Sequence, residues 1–138
     1  MKILFVAGFG PIVRDQTASP AFYEDTLGIP MERDADGYAH TDKLRGVKAF
    51  ALWPLSQAAE SCFGSSVWPA DLPVPQAWLE FDVEDIDIAT AELKDRGYKL
   101  LVDKRTEPWG QTVTRLLSPE GMLVGVTITP WMREGAKT

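Results

Sequence analysis

Residues 77–87, AWLEFDVEDID, repeat the pattern with which residues 3–15, ILFVAGFGPIVRD, open the chain. Both stretches begin as apolar runs of strand length and then reach a Val-x-Asp unit, the first at Val13 and the second 70 residues later at Val83. In a chain of 138 residues this offset is close to half the length. The repeat therefore predicts an internal duplication of one structural module.

The elements predicted after each strand also follow one order. In the first copy, Ser19 as N-cap and Pro20 at the first helical position predict a helix that Gly28 ends. In the second copy, Asp85 or Asp87 caps a helix that ends at Gly97. About three strands follow in each copy; they include residues 38–41 and 47–53 in the first, and 100–102, 112–117 and 122–129 in the second.

A Pro- and Gly-rich segment separates the two copies, and it predicts a connection with one helical turn near residues 57–61. The predicted organisation is a single structural domain with a first module at 1–54, a connecting segment at 55–76, a second module at 77–130 and a C-terminal tail at 131–138.

Composition excludes several classes of function. Lys and Arg number 14 against 20 Asp and Glu, so the net charge of −6 disfavours a general binder of nucleic acid. Cys62 is the single cysteine, which rules out an internal disulfide and a thiolate-rich metal cluster. No apolar run approaches the roughly 20 residues of a transmembrane helix. We therefore expect a cytoplasmic protein with no nucleic-acid or membrane partner.

The motifs at the ends of the repeated strands carry a family resemblance. In the first copy they are Val13-Arg14-Asp15, Ser19, Phe22-Tyr23 and Leu27-Gly28. In the second copy they are Val83-Glu84-Asp85-Ile86-Asp87, Trp109-Gly110 and the hairpin Ser118-Pro119-Glu120-Gly121. Together they resemble the vicinal oxygen chelate superfamily, which includes glyoxalase I, extradiol dioxygenases and bleomycin-resistance proteins. The resemblance implies an α+β fold of two βαβββ modules whose strands curl into a cup around a ligand cavity, usually in a homodimer.

Enzymes of that superfamily hold a divalent metal with His, Gln or Glu side chains at four positions of the cup. By the resemblance these positions fall on Gly8, Trp78, Gly125 and, with a less certain register, Ala51. None of these residues can bind a metal, and one His in the whole chain excludes a multi-histidine site. We therefore predict no metal site, no cofactor and no assigned catalytic residue.

Strand alternation places Gly8, Gly10 and Ile12 on the face of the cup, and Phe9 on the helix side. Glycine inside a strand often marks the close approach of a ligand or of another part of the chain. Both interpretations, space for a ligand and tight internal packing, stay open for Gly8, Gly10 and Gly125.

Aromatic residues supply the candidate ligand site. The alternation also places Trp78 and Glu80 on the cup face, and Trp109 lies where bleomycin-resistance proteins resemble one another most, in a loop before Gly110. Tyr38 is the candidate for a second stacking aromatic. Trp53 and Trp131 favour core packing, although Trp53 is kept among the candidates. The predicted ligand-binding residues are Tyr38, His40, Trp53, Trp78, Glu80 and Trp109.

The sequence gives weaker support for a reactive role of the remaining polar candidates. The imidazole of His40 could serve as a general base, but no motif fixes an acid or base beside it, so a surface role is favoured. Glu80 gives the predicted cavity negative character, and its carboxylate is expected to be solvated or to await a donor or a cation. Cys62 has no His near it in sequence, which disfavours a nucleophile.

The sequence therefore predicts a metal-independent, homodimeric binder of a small molecule, with sequestration of a planar, hydrophobic or cationic antibiotic, as in bleomycin-resistance proteins, as its specific form. The alternative is an enzyme of the lyase or isomerase type that uses Glu80, Asp82 or His40 for metal-free proton transfer. A third alternative is a regulatory or structural homodimer with a vestigial cup.

Overall fold

The computed structural model describes residues 1–133. These residues form one curved sheet of eight strands with helices on both faces. The strands are β1 (Ile3–Val13), β2 (Glu32–Arg33), β3 (Ala39–Thr41), β4 (Ala49–Pro54), β5 (Ala77–Val83), β6 (Leu100–Thr106), β7 (Thr112–Leu117) and β8 (Leu123–Ile128). The helices are α1 (Ala18–Pro20), which continues as a π-helix (Ala21–Thr26), α2 (Leu55–Phe63), α3 (Ile86–Asp95) and a final 3₁₀ turn (Pro130–Met132).

The element order confirms the predicted α+β fold of two βαβββ modules. The strand order in the sheet is β2-β3-β4-β1-β5-β8-β7-β6. In each module the first strand pairs in parallel with the last, β1 with β4 and β5 with β8. The antiparallel pair β1–β5 is the seam that joins the two modules into one sheet.

The aspartate of each Val-x-Asp unit caps the first helix of its module, α1 or α3, in the same way. Asp15 Oδ1 accepts the amides of Thr17 and Ala18 at 2.9 and 2.8 Å. Asp85 Oδ1 accepts the amides two and three residues on at 2.9 and 3.0 Å. The prediction of Ser19 as the first N-cap is therefore wrong, because Asp15 already satisfies the free amides one turn earlier.

The two faces of the sheet have different coverings. On one face, Tyr23 of the π-helix packs on Phe50, and Ala89 of α3 packs with Val83. These helices leave the centre of that face open, and Phe9 is 41% exposed there. Phe9 thus lies on the helix side of the sheet, as predicted, and its side chain is left uncovered there.

The opposite face is the cup, and α2 packs into one part of it. Ala58, Ala59 and Cys62 of α2 belong to the same buried cluster as Ile12 and Trp78. The sequence predicted one helical turn near residues 57–61, whereas α2 spans Leu55–Phe63 and ends at Gly64 in the left-handed conformation. The connecting segment thus supplies part of the core. Residues 131–133 of the predicted tail lie in the last turn and just after it, and residues 134–138 lie outside the described residues.

No helix within residues 1–133 combines the length and apolar character that a membrane crossing needs.

Candidate functional site

A cavity of about 380 Å³ opens on the cup face. All six residues that the sequence predicted as ligand-binding lie in its lining: Tyr38, His40, Trp53, Trp78, Glu80 and Trp109. Trp131 also lines the cavity and is 42% exposed, so the core position favoured for it is wrong. The lining further includes the polar residues Asp34, Asp36, Gln57, Gln111, Arg115 and Thr129.

The floor of the cavity, which we define as Trp78, Glu80, Gln111 and Arg115, is supplied by β5, β7 and the residue before β7. Trp78 and Arg115 are 6% and 2% exposed. The Trp78 indole N–H donates to the carbonyl of Ala51 at 3.2 Å, which fixes the ring across β1 and β4. Trp53 stands edge-on to this ring with 6.0 Å between centroids. Trp53 therefore packs on the core and lines the cavity at once.

The glycines of the cup face make room for these floor side chains. A Cβ at Gly8 would lie 2.5 Å from the Trp78 ring. A Cβ at Gly10 would lie closer than 3.0 Å to the Ala51 carbonyl oxygen. At Gly125 the nearest atom would be Glu80 Cγ, at 3.0 Å. The tight-packing interpretation of these glycines is therefore confirmed, since their space is filled by the chain itself.

Arg115 organises the charges of the floor. Its guanidinium pairs with Glu80 at 3.3 Å and with Glu107 at 3.1 Å. It lies over the Trp53 ring, 5.2 Å from the centroid. Arg105 also pairs with Glu107, at 3.2 Å. The expectation that Glu80 is solvated or awaits a partner is therefore wrong, because the chain supplies its donors.

The mouth of the cavity, which we define as Asp34, Asp36, Trp109 and Trp131, is exposed and acidic. Trp109 is 55% exposed, and its indole N–H donates to Gln111 Oε1 at 2.8 Å. Since Glu80, the one carboxylate of the floor, is paired with Arg115, the unbalanced negative charge of the site lies at the mouth.

Between floor and mouth, Tyr38 and His40 stack with 5.6 Å between ring centroids. His40 Nε2 lies 2.8 Å from Asp34 Oδ1, a partner that the sequence did not indicate. Burial, assisted by the nearby charge of Glu80, raises the pKa of the Tyr38 hydroxyl, so Tyr38 stays a neutral phenol at physiological pH.

One wall of the cavity depends on a buried carboxylate at the end of β5. Asp82 is fully buried and accepts the Thr129 amide at 3.0 Å, the Thr129 hydroxyl, and Arg133 Nε at 2.8 Å. These contacts hold the turn that carries Trp131 and Met132 against the cavity. Asp82 is thus committed to structure, which removes it from the candidate acids and bases.

The residues do not fit a metal ion. The strands bring Gly8, Ala51, Trp78 and Gly125 to the cup face, and none has a side chain that ligates a divalent cation. Across residues 1–133, no three His, Cys, Asp or Glu side chains lie close enough together to form a metal site.

Cys62 lies in the core beneath the cavity rather than in its lining. Burial raises the pKa of its thiol to about 11, so it is protonated at neutral pH and is a poor nucleophile.

Comparisons with known proteins agree with this fold. The family model for the Glyoxalase/Bleomycin resistance protein/Dioxygenase superfamily matches residues 8–126. A superfamily member of that description from Vibrio splendidus 12B01 is 18% identical with a TM-score of 0.56, over 90% of this chain and 97% of its own. No curated protein sequence matches significantly.

Two further solved structures carry different names. The methylmalonyl-CoA epimerase of Streptomyces coelicolor, in complex with 2-nitronate-propionyl-CoA, is 18% identical with a TM-score of 0.54, over 96% of this chain and 99% of its own. The NAD-dependent benzaldehyde dehydrogenase from Legionella pneumophila is 14% identical with a TM-score of 0.58, over 88% and 96%. At these identities the likeness shows the fold alone.

Proposed function

The chain belongs to the glyoxalase/bleomycin resistance protein/dioxygenase superfamily, and from this premise we propose that it binds a flat, hydrophobic or cationic small molecule without a metal ion. Sequestration of an antibiotic-like compound in the cytoplasm is the form of this function that we favour. It needs a pocket and no chemical step, which agrees with Gly8, Ala51, Trp78 and Gly125 at the superfamily's metal positions. The aromatic cavity on the cup face carries the proposal.

The size of the cavity supports a small ligand. Its volume of about 380 Å³ lies at the lower end of the range typical of ligand sites. At about 30 Å³ per water molecule it holds on the order of a dozen waters, which suits a ligand of two or three fused rings. This volume favours a bound molecule over a vestigial cup.

The distribution of charge and aromatic rings supports a flat cation. Trp109 and Trp131 expose ring surface beside Asp34 and Asp36 at the mouth. A cationic ring system would stack on the indoles and approach these carboxylates, while the paired floor offers no free anion to bury. Aromatic contacts of this kind contribute about 0.5–2 kcal/mol each to binding.

A pair of dyes that share one ring system and differ in charge tests the proposal. Proflavine is a planar tricyclic cation, and acridine-9-carboxylate carries a negative group on the same rings. We expect proflavine to quench the protein's tryptophan fluorescence with the lower Kd, and we expect addition of a chelator to leave that Kd unchanged. Equal Kd values for the two dyes, or tighter binding of the carboxylate, would contradict the proposal.

A substitution at the mouth locates the bound dye. Trp109→Ala removes an exposed ring and should weaken proflavine binding by about 1–3 kcal/mol, as truncation of an aromatic anchor does, with little change in stability. Tyr98→Ala is the matched control, because Tyr98 is a similarly exposed aromatic (48%) outside the cavity. If Trp109→Ala and Tyr98→Ala bind the dye equally well, the site is misplaced.

A second candidate function rests on the pair of His40 and Asp34. When the His40 Nε2–H donates a hydrogen bond to Asp34 Oδ1, the free lone pair of the imidazole lies on Nδ1, which can then accept a proton. A base of this kind can remove a proton from carbon next to a carbonyl group. This arrangement supports the isomerase alternative more than Glu80 or Asp82 do, since other side chains hold both of those carboxylates.

Deuterium exchange separates the two functions. Methylmalonyl-CoA, the substrate named for one structural neighbour, would be incubated with the protein in D₂O and followed by NMR. Sequestration predicts no exchange beyond the uncatalysed rate. Exchange that His40→Gln abolishes, with proflavine binding retained, would establish the acid–base function instead.

We also propose that the protein forms a homodimer through the open centre of the helix-bearing face. Val6 and Phe9 are exposed there by 38% and 41%, and exposed apolar patches of this kind mark interfaces. Light scattering should give twice the 15.3 kDa of one chain, and Phe9→Asp should give the monomer. A monomeric wild-type protein at micromolar concentration would contradict this proposal.

A further inference from the structure

We propose that Gln111 is a positioning residue that fixes the ring of Trp109 at the mouth, and that the ionised Glu80 in the floor sets the direction in which Gln111 points. This inference rests on the proposed ligand site, because it explains how an exposed stacking ring is held in one orientation.

The direction follows from hydrogen-bond chemistry. Gln111 Nε2 donates to Glu80 Oε1 at 2.8 Å and to Thr127 Oγ1 at 2.9 Å. An ionised carboxylate can only accept, so the amide nitrogen must face Glu80. The amide oxygen is then left to accept the Trp109 indole N–H, at 2.8 Å. A flipped amide would place oxygen against carboxylate and nitrogen against indole N–H, which is unfavourable at both ends.

The partners of the amide are themselves fixed. Thr127 is fully buried, and its hydroxyl donates to the Thr112 carbonyl at 3.0 Å, so it is left as an acceptor for Gln111. Glu80 Oε2 is held by Arg115. Gln111 is 4% exposed, whereas Trp109 is 55% exposed. A buried polar network therefore ends in the N–H of an exposed ring.

The backbone that carries Trp109 is fixed without this network. The Glu107 amide donates to the Gln111 carbonyl at 2.7 Å, and the Gly110 amide donates to the Glu107 carbonyl at 2.9 Å. These bonds close the turn between β6 and β7 whatever side chain stands at 111. Loss of the Gln111 amide should therefore free the ring and leave the turn in place.

The first test needs no ligand. In ¹⁵N-labelled protein, Gln111→Met should shift the indole N–H signal of Trp109 and raise its exchange rate with water. The chemical shifts and exchange rates of the other indole N–H groups should stay unchanged. Gln16→Met, on an exposed turn, is the matched control and should change none of them. An unchanged Trp109 signal in a folded Gln111→Met protein overturns the inference, whether or not any dye binds.

The second test uses proflavine. Loss of one neutral hydrogen bond should raise its Kd about two- to tenfold in Gln111→Met. Trp109→Phe keeps a ring but has no N–H, so it should raise the Kd similarly, and Gln111→Met should then add less than about twofold in the double variant. If Gln111→Met does not fold, Trp109→Phe decides: wild-type proflavine affinity in this variant overturns the inference.

A pH profile separates positioning from a general structural role. In Gln111→Glu, the introduced carboxyl group, when protonated, donates to Glu80 and accepts from Trp109, whereas its ionised form repels Glu80. Proflavine affinity in this variant should therefore rise towards that of the wild type as the pH is lowered through the carboxyl range, and Gln111→Met should show no such recovery. Identical pH profiles in the two variants overturn the inference. Failure of the wild type to bind proflavine would contradict the proposed function. The NMR test would still decide whether Gln111 positions the Trp109 ring.

Discussion

Strands β1 and β5 are equivalent in the two modules, yet they present opposite kinds of side chain to the cup. β1 contributes Gly8, Gly10 and Ile12, and the positions 70 residues later on β5 are Trp78, Glu80 and Asp82. The antiparallel seam pairs Gly10 with Trp78 and Gly8 with Glu80.

Packing at the seam requires this difference between the two strands. Side chains directly opposite one another in a sheet lie about 5 Å apart, so two large residues cannot both lie flat across the same seam. The glycines of the first module let the Trp78 ring cross β1. The second module can therefore build the buried floor, and the first supplies Asp34 and Asp36 at the mouth, beside short strands.

Breaking the small-against-large pairing should have the largest effect. Gly10→Ala places a Cβ against the Ala51 carbonyl, which cannot move without distorting β4, so we expect a loss of about 3 kcal/mol or more in the free energy of unfolding, or no folded protein. Urea unfolding measures it.

Gly8→Ala is the informative control for that prediction. Its Cβ would meet only the Trp78 ring closely, so in a Trp78→Leu background the substitution should cost less than about 1 kcal/mol more than Trp78→Leu alone. Gly10→Ala should stay destabilising in the same background. If the Trp78→Leu background reduced the loss of stability for both glycine variants, or for neither, the result would contradict the packing described above.

The second largest difference should be in the free energy of unfolding that is lost when an ion pair of each module is broken. Arg115→Met leaves Glu80 and Glu107 without their buried cation, so we expect a loss of about 3–5 kcal/mol in urea unfolding. Arg33→Met breaks the pair with Glu24, in which Arg33 is 45% exposed, and should cost no more than about 1 kcal/mol. Similar losses would mean that the floor charges are more solvated than described.

Asp82 makes a buried ion pair in the second module, whereas the equivalent residue of the first module is the apolar Ile12. We expect breaking this pair to have a smaller effect on stability. Arg133→Met removes charged hydrogen bonds from a fully buried carboxylate and should cost about 1.5–3 kcal/mol. Hydrogen exchange at the Thr129 amide should rise with it. Lys94→Met, which breaks an exposed pair with Asp103, should change neither measurement appreciably.

The helix caps should give the smallest effect, because here the modules are alike. Asp85→Ala should cost about 1 kcal/mol, and Asp15→Ala should cost less, since helix α3 buries Ala89 and Thr90 while α1 and its π-helical continuation bury no residue. Equal losses would show that burial of the helix does not modulate the cap.

The Asp15 cap also has a predictable response to acid. Hydrogen bonds from the amides of Ala18 and Thr17 lower the pKa of Asp15 below its ordinary value of 3.8. Its stabilising effect is therefore present above about that pH and is lost as the pH falls through the lowered pKa. The loss in Asp15→Ala should accordingly be measurable at neutral pH and should shrink in acid below the ordinary carboxyl pKa, where the wild-type cap is itself weakened.

The frame of the fold was predictable because its signals are local. The Val-x-Asp repeat, Gly28, Gly97 and the hairpin ending at Gly121 each specify a cap or a turn that depends on neighbouring residues only. Helix α2 was underestimated, because its length depends on packing of Ala58 and Cys62 against the cup rather than on local signals.

The site was only partly predictable for the same reason. Alternation along β5 identified Trp78 and Glu80, but the partners of Glu80 come from β7 and the residue before it, more than 30 residues away. One signal was present: Arg115 shares a strand face with Val113 and Leu117 in an otherwise apolar run. A charge on such a face requires a buried counter-charge. The pairing of His40 with Asp34 left no such signal.

The β1–β5 seam also has a consequence for the route by which the chain folds. It joins strands some 70 residues apart, so it raises the contact order and should close late and slowly, after each module has paired its own strands. Until then β1 and β5 are free edges that fit the same edges of another chain. Within one chain, residues 55–76 hold them at an effective concentration in the millimolar range. Refolding well below that concentration therefore favours closure within one chain, and refolding near it produces swapped assemblies.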